Sequence, residues 1–469
     1  MPIQIYNSLT RKKEDLPLVS LQKTLKIYTC GVTVYDQCHI GHARSLYIFD
    51  VIRRYLKYRG YNIQFVRNIT DIDDKIIQKA RDTKRTFDQV VQENIALYEK
   101  DLKSLGIEPA DQEPRATKNI EDMLKDIQGL VEKGLAYEVN GDVYFNVRKF
   151  KEYGKLSGQS IEKMMEGVRI DPNEKKKDPL DFALWKKSKD EEPFWESPWG
   201  RGRPGWHIEC SCMSRKFLQT DTLDIHAGGR DLIFPHHENE IAQAEGLTGK
   251  PFARHWIHHG LLTINGQKMA KSLGNFITIQ DALKKYPVDD LKMFLLSSHY
   301  ASPVDFTSEA VQAAHKALER FDILFWKAYE ILKDKKVPDA GQVDFIEEGK
   351  NKFLEAMDDD FNTPKALGHL FDLISHTNKF IDHGKKDKFY EPTIFQAADT
   401  IETLGREIFG LFQKEVEKDL SDELKGLLQQ RQEARLKKDY RRSDELRELL
   451  KQKGVIVEDV KEEQTWRWA

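Results

Sequence analysis

The sequence predicts an α/β protein: a parallel sheet split by an insertion, then a helical bundle, then a small C-terminal module. Three observations predict it. A strand–helix–strand pattern fills residues 25–70, and α/β patterning returns from 206 to 298. The stretch 171–205 between them is rich in Pro, Gly, Trp and Lys and reads as an irregular insert. After about residue 308 the spacing is helical almost throughout.

The elements follow in order. "LKIYTCGVTVYD" is short, β-branched and aromatic, which is strand composition. In "CHIGHARSLYIFDVIRRYLKYRG", Leu46, Phe49, Ile52 and Tyr55 recur at three-residue steps beside Leu56. That is a helical stripe, and Gly60 ends it. "YNIQFVRNI" is the next strand, so the three form β-α-β, the unit of a parallel sheet. Residues 75–135 read as charged amphipathic helices. "FNTPKALGHLFDLI" reads as a helix start, with Thr363 as N-cap and Pro364 at the first position. A seam is expected at 415–420, and a long charged helix or helix pair at 421–453.

Composition narrows the function classes. The 469 residues suggest roughly three domains at about 150 residues each. Lys+Arg (74) and Asp+Glu (77) nearly cancel to −3, so any polyanion site must be a local basic patch. "MPIQIYNSLTRKKEDLPL" lacks the apolar core of a signal peptide, and no run reaches the ~18 apolar residues of a membrane span. A cytoplasmic protein without a membrane partner is expected. The cysteines, Cys30, Cys38, Cys210 and Cys212, are too few for a disulfide framework and read as free, catalytic or metal-bound.

Two stretches suit phosphate. "CHIGHA" sits where strand passes into helix, and a helix N-terminus presents free N–H groups and positive dipole. There Gly41 lets a ligand approach the backbone, and His39 and His42 can face one ligand. Two polar residues in an ordinary strand–helix turn are the plain alternative. "NGQKMAKSLGNF" brackets Lys268 and Lys271 between Gly266 and Gly274, a mobile basic loop or simply a solvated one.

"PHHENE" offers metal donors. With Pro235 in the first turn of a helix running to Gly246, His236 and Glu240 share a face, whereas His237 aligns with core-facing Ile241. His237 and Glu238 are then supporting groups. In "WHIECSC" only one of Cys210 and Cys212 can face a site. Cys30 ends the first strand, where ligands of parallel sheets gather. Two sulfurs, an imidazole and a carboxylate would suit Zn²⁺, although free cysteines are often just buried hydrophobes.

In this order the two phosphate stretches resemble the HIGH and KMSKS elements of class I aminoacyl-tRNA synthetases. Ala270 replaces the first serine of the second; Lys268, Lys271 and Ser272 remain. "YTCGVTVYD", "HIGHAR", "RNITDIDDKI", "GRPGWHIECS", "GGRDLIFPHHENEIAQ", "KMAKSLGNF" and "DDDFNTPKAL" resemble the cysteinyl-tRNA synthetase family, nearly end to end through the closing "TWRW".

The resemblance implies a Rossmann-like catalytic domain over 1–115 and 206–307, a connective insertion over 116–205, a helical bundle over 308–415 and an anticodon-binding module over 416–469. It implies one zinc held by Cys30, Cys210, His236 and Glu240, reading the thiolate of L-cysteine where shape alone discriminates by only about 10–200-fold. The expected reaction joins L-cysteine to ATP, with Mg²⁺, and passes the cysteinyl group to tRNA(Cys). His39, Gly41, His42, Lys268, Lys271 and Ser272 would meet ATP, with both histidines and both lysines catalytic. Gly31, Thr70, Trp206 and Asp231 would surround the amino acid. Trp206 could equally be a core residue, and Asp231 could instead cap the "PHHENE" helix. The basic run 431–453 with Arg435, Tyr440 and Trp466 suits tRNA, although such a run also reads as a solvated helix face. A monomer is expected.

Three rivals remain. A ligase passing cysteine to a small amine would not need residues 421–469. A non-catalytic RNA binder would not need His39, His42, Lys268 and Lys271. A zinc hydrolase would need a general base beside a metal-bound water, and no H-E-x-x-H is present.

Overall fold

The computed structural model describes residues 2–17, 24–166, 176–333, 335–338, 340–412, 421–460 and 463–468. Its centre is a four-stranded, all-parallel sheet built from β1 (Thr24–Thr29), β2 (Asn62–Arg67), β3 (Leu223–Gly229) and β4 (Ala253–His259). The strand order is β4-β3-β1-β2. Helix α1 (Ile40–Tyr58) joins β1 to β2, α2 (Asp74–Thr83) follows β2, α3 (Trp206–Leu218) leads into β3, and α4 (Glu238–Thr248) joins β3 to β4. The order reverses between β1 and β3, so a crevice opens beyond their carboxyl ends, where open α/β sheets bind ligands.

Alternation along the strands sorts the core. Leu25, Ile27, Phe65, Ile225, Ala227 and Ile257 join α1 in one apolar cluster. Tyr28, Val66 and Trp256 pack instead with Cys210 of α3 and Ile241 and Ala244 of α4. The stripe read as Leu46, Phe49, Ile52 and Tyr55 is buried, and the chain leaves α1 through Gly60 at φ 85°, a conformation that favours glycine. β1 stops at Thr29, earlier than the apolar reading of 25–36 suggests, because residues 30–38 form the loop into α1.

The insert is less irregular than its composition predicts. Ala136–Val139, Asp142–Phe145, Phe182–Lys187 and Gly202–Pro204 form a four-stranded antiparallel sheet in sequence order. Buried Leu184 and Trp185 anchor it beneath the Pro- and Lys-rich surface that masks it in the sequence. Residues 171–175 lie outside the described residues.

Beyond the sheet come helices Ser308–Leu332, Asp344–Asp358, Thr363–His383 and Tyr390–Thr403. The third is capped one residue earlier than expected: the Lys365 N–H donates to the Asn362 side chain at 3.1 Å, leaving the Thr363 hydroxyl to donate to the Leu296 carbonyl at 2.9 Å. The expected seam at 415–420 lies outside the described residues. The C-terminal module is a helix pair, Asp422–Leu436 and Tyr440–Gln452, and an antiparallel hairpin, Val455–Val460 with Glu463–Trp468. Among the described residues no helix is long and apolar enough to cross a membrane.

Candidate active site

Four side chains converge at the crevice. Cys30 follows β1, Cys210 lies on α3, and His236 and Glu240 flank the start of α4. Pro235 does not open that helix as expected. Phe234 is extended (φ −138°, ψ 132°), the Phe234–Pro235 bond is cis, and the regular helix begins at Glu238. His236 and Glu240 still meet, with Nε2 and Oε1 2.8 Å apart. The Sγ atoms of Cys30 and Cys210 are 3.9 Å apart, and Cys30 Sγ lies 3.5 Å from Glu240 Oε1. The four donor atoms all lie within 4.8 Å of one another.

This set fits a tetrahedral ion. Zinc–sulfur bonds of about 2.3 Å at tetrahedral angles set two sulfurs about 3.8 Å apart, close to the separation seen. Electrostatics agree. The hydrogen bond from Cys30 brings the Cys210 thiol down to about 6 against its burial. Glu240 is held well below the usual carboxylate range because His226 and His236 outweigh its burial. Burial would push His236 down, but Glu240 and Cys210 raise it to about 10. Burial pushes the Cys30 thiol well up. Cys210 and Glu240 are thus anionic around a protonated His236, and a metal cation would take the place of that proton.

A second group, Cys30, His226, His237 and Glu240, meets the same distance criterion. Outer contacts favour the first. His226 Nε2 holds the second Glu240 oxygen at 2.6 Å, His207 Nδ1 meets His236 Nδ1 at 2.9 Å, and His237 Nε2 sits 3.3 Å from Cys30 Sγ. Every imidazole and carboxylate of the first set is thus oriented by a neighbour, as metal ligands usually are. In the second set His226 would be a ligand whose other ring nitrogen, Nδ1, has no hydrogen-bond partner among the described residues. His237 supports Cys30 rather than the core, and His258 backs it through Nδ1 at 2.8 Å. Glu238 turns away and accepts the Gly154 and Ser157 N–H groups at 2.9 and 2.8 Å. Cys212 faces Asp126 on the opposite side of α3, and burial raises its thiol.

The four residues expected around the amino acid differ in exposure and partners. Gly31 donates to Asn68 Oδ1 at 2.8 Å, and a Cβ there would lie 1.6 Å from the Asn68 carbonyl oxygen. Trp206 is no core residue: it is 39% exposed, and its indole lies over His236 at 4.1 Å. Asp231 is exposed just beyond β3 and makes no cap bond to the helix that follows. Thr70 is buried, and its hydroxyl donates to Glu209 at 2.9 Å. That proton is therefore committed inside the protein rather than to the crevice.

At the start of α1 the His39 ring accepts the Gly41 and His42 N–H groups through Nδ1 at 3.1 and 3.3 Å. The His42 ring accepts the His39 N–H through Nδ1 at 3.2 Å. Burial lowers the two rings to about 4 and about 3, so both are neutral at pH 7. A neutral ring that accepts at Nδ1 carries its proton on Nε2. Each histidine therefore presents an N–H donor, which suits phosphate oxygen. Lys271 pairs with Asp36 and lies over the Phe276 ring at 5.0 Å, and Lys268 is exposed on the same loop. The Ser272 side chain lies outside the described residues.

In the C-terminal module Arg435 pairs with Asp459, which also receives buried Arg431 at 2.9 and 2.8 Å. Tyr440 is 61% exposed. Trp466 lies on the last strand, and its side chain is outside the described residues. Sequence reading missed His207, His226 and Asp36. The signal for His226 was a histidine beside Asp224 in the short strand run "LDIHAGG".

Comparisons with known proteins agree along the whole length. A family model described as the class I (C) tRNA synthetase catalytic domain matches residues 18–316. A DALR domain model matches 352–413, and a cysteinyl-tRNA ligase anticodon-binding domain model matches 417–467. The chain is 50% identical to a cysteine–tRNA ligase of Sulfurihydrogenibium sp. and 49% identical to one of Persephonella marina, covering 100% of both chains in each case. It is 45% identical to that of Aquifex aeolicus, over 100% of this chain and 99% of the other. Among solved structures, Mycobacterium tuberculosis methionyl-tRNA synthetase with methionyl-adenylate superposes with TM-score 0.65 at 15% identity, over 83% of this chain and 92% of the other. That likeness is one of fold.

Proposed function

The chain belongs to the cysteine–tRNA ligase family, and from that premise we propose that its buried two-sulfur cluster holds one zinc ion that reads the substrate side chain. The enzyme is a ligase. The carboxylate of L-cysteine attacks the α-phosphate of ATP, pyrophosphate leaves, and the cysteinyl group passes to the 3′ end of tRNA(Cys) with release of AMP.

Cys30, Cys210, His236 and Glu240 would hold the zinc, with His207, His226 and His237 orienting three of them. Bound there, zinc supplies a soft Lewis acid that favours a thiolate over an alcohol. Trp206 walls the pocket over His236, Gly31 leaves room for the Asn68 backbone next to Cys30, and Asp231 offers a carboxylate to the ammonium. Thr70 supports this wall through Glu209. His39 and His42 donate from Nε2 to the phosphates beside Gly41. Lys268, Lys271 and Ser272 receive the departing pyrophosphate, and Mg²⁺ accompanies ATP. Such chemistry needs positioning and charge stabilisation more than covalent help. Arg435, Tyr440 and Trp466 contact tRNA. A cytoplasmic monomer completes the proposal.

The convergence of Cys30, Cys210, His236 and Glu240 carries this reading. ATP–pyrophosphate exchange with cysteine and with serine, before and after chelation, tests it. Cysteine should win by far more than the ~200-fold that shape alone achieves, and chelation should abolish exchange. A preference unchanged by chelation would overturn the role given to the metal.

A further inference from the structure

We propose that Asp36 is a positioning residue for adenylate formation: it holds the Lys271 ammonium beside the paired histidines until the triphosphate takes that ammonium over. The inference rests on the proposal that Lys271 serves pyrophosphate.

Asp36 lies in the loop between β1 and α1, three residues before His39. Its Oδ2 pairs with Lys271 and also receives Lys79 of α2 at 3.2 Å. Phe276 fixes where this pairing occurs. Its face carries the Lys271 ammonium at 5.0 Å, and it meets the His39 ring edge-to-face at 5.4 Å. The loop is braced in the same place: Asn275 accepts the Ala270 N–H at 2.8 Å and donates to the Lys268 carbonyl at 3.2 Å. Met269 packs against Gly41. The catalytic loop is thus tied down with its lysine next to the expected phosphate site but bonded to a carboxylate.

The second cation explains how the tie can release. A half-buried Asp36 stripped of its only cation would resist losing it. Lys79 shares the same oxygen, so Asp36 keeps a partner when Lys271 moves to the triphosphate. The exchange replaces one anionic acceptor with a more highly charged one. Asp36 therefore competes with bound ATP for the ammonium while keeping the loop near its working position. Loss of Asp36 should then move KM and kcat separately. Competition ends, so KM for ATP falls. The loop is held less well, so kcat falls too. Lys271 is 54% exposed, so the ion pair is a weak one, and each change should be about two- to five-fold.

The test is cysteine-dependent ATP–pyrophosphate exchange on the full chain, comparing wild type, Asp36→Asn, Asp36→Glu, Lys271→Ala and the Asp36→Asn/Lys271→Ala double variant. Asp36→Asn should lower both KM for ATP and kcat, and Asp36→Glu should restore both. In the Lys271→Ala background Asp36→Asn should change neither. Equal effects of Asp36→Asn with and without Lys271, or an unchanged KM for ATP in Asp36→Asn, would overturn the inference. If Lys271→Ala itself left kcat intact, instead of lowering it on the order of 10²–10³-fold, the reading of Lys271 would fall first.

Discussion

His39 and His42 cap each other. Each ring accepts a backbone N–H through Nδ1, and the rings stack at 3.7 Å with 17° between their planes. The pair closes the start of α1 with imidazoles in place of the usual Ser, Asp or Glu. It also fixes which nitrogen faces outward.

Histidine side-chain ¹⁵N spectra should therefore show unprotonated Nδ1 and protonated Nε2 for both residues at pH 7. Burial is the main cause of their low values, about 4 and about 3. A base whose folded pKa is depressed adds stability that is complete above the unfolded value of about 6.5 and is lost as pH falls toward the folded value. Both rings should stay neutral from pH 8 to 5.5. A titration near 6.5 would show the capping arrangement to be wrong.

Metal analysis separates the two overlapping donor groups. Cys210→Ser and His236→Gln should each lose the ion, whereas Cys212→Ser should keep one per chain, because Cys212 faces Asp126. His237→Gln should retain metal with weakened binding, of the 10–100-fold size usual for a supporting partner. Complete loss in His237→Gln with full retention in Cys210→Ser would transfer the site to the other group.

Gly31→Ala should disable cysteine activation. Its Cβ would meet the Asn68 carbonyl oxygen at 1.6 Å, a backbone atom that cannot rotate away. Melting should show a loss of about 1–3 kcal/mol or more, with a raised KM for cysteine. Gly426→Ala is the contrast. It lies in the helix Asp422–Leu436 with nothing within 4 Å of its Cβ position, so it should stabilise by about 0.5–1 kcal/mol. Similar outcomes for the two would contradict the packing described.

Local period made part of this fold legible. The stripe Leu46, Phe49, Ile52 and Tyr55 needs only α1 itself, and the Gly60 stop needs only backbone sterics. The pairing of His236 with Glu240 was also readable, because four residues return to one helix face even where the helix starts late. His226 was not readable. Its role depends on β3 alternation turning it toward α4, a relation between elements rather than within one. Asp36 sat at the end of the run 25–36 that reads as strand, and only tertiary folding brings Lys271 to it. The strand Phe182–Lys187 was hidden by the Pro- and Lys-rich sequence around it.

The C-terminal module should be separable. Buried Arg431 donates within it, to Asp459 and Gln464. Deleting residues 421–469 should leave cysteine-dependent exchange largely intact and cripple tRNA charging. Tyr440→Ala should cost about 1–3 kcal/mol of tRNA binding if its exposed ring stacks on a base. Unchanged charging by the truncated chain would remove the module from tRNA recognition.

The central claim is that the cluster of Cys30, Cys210, His236 and Glu240 reads the substrate's sulfur through zinc. Zinc X-ray absorption on the full chain, alone and with L-cysteine or L-serine, tests it most directly. The account predicts two sulfur neighbours at about 2.3 Å in the enzyme alone, three with cysteine, and two with serine. A sulfur shell unchanged by cysteine would contradict it.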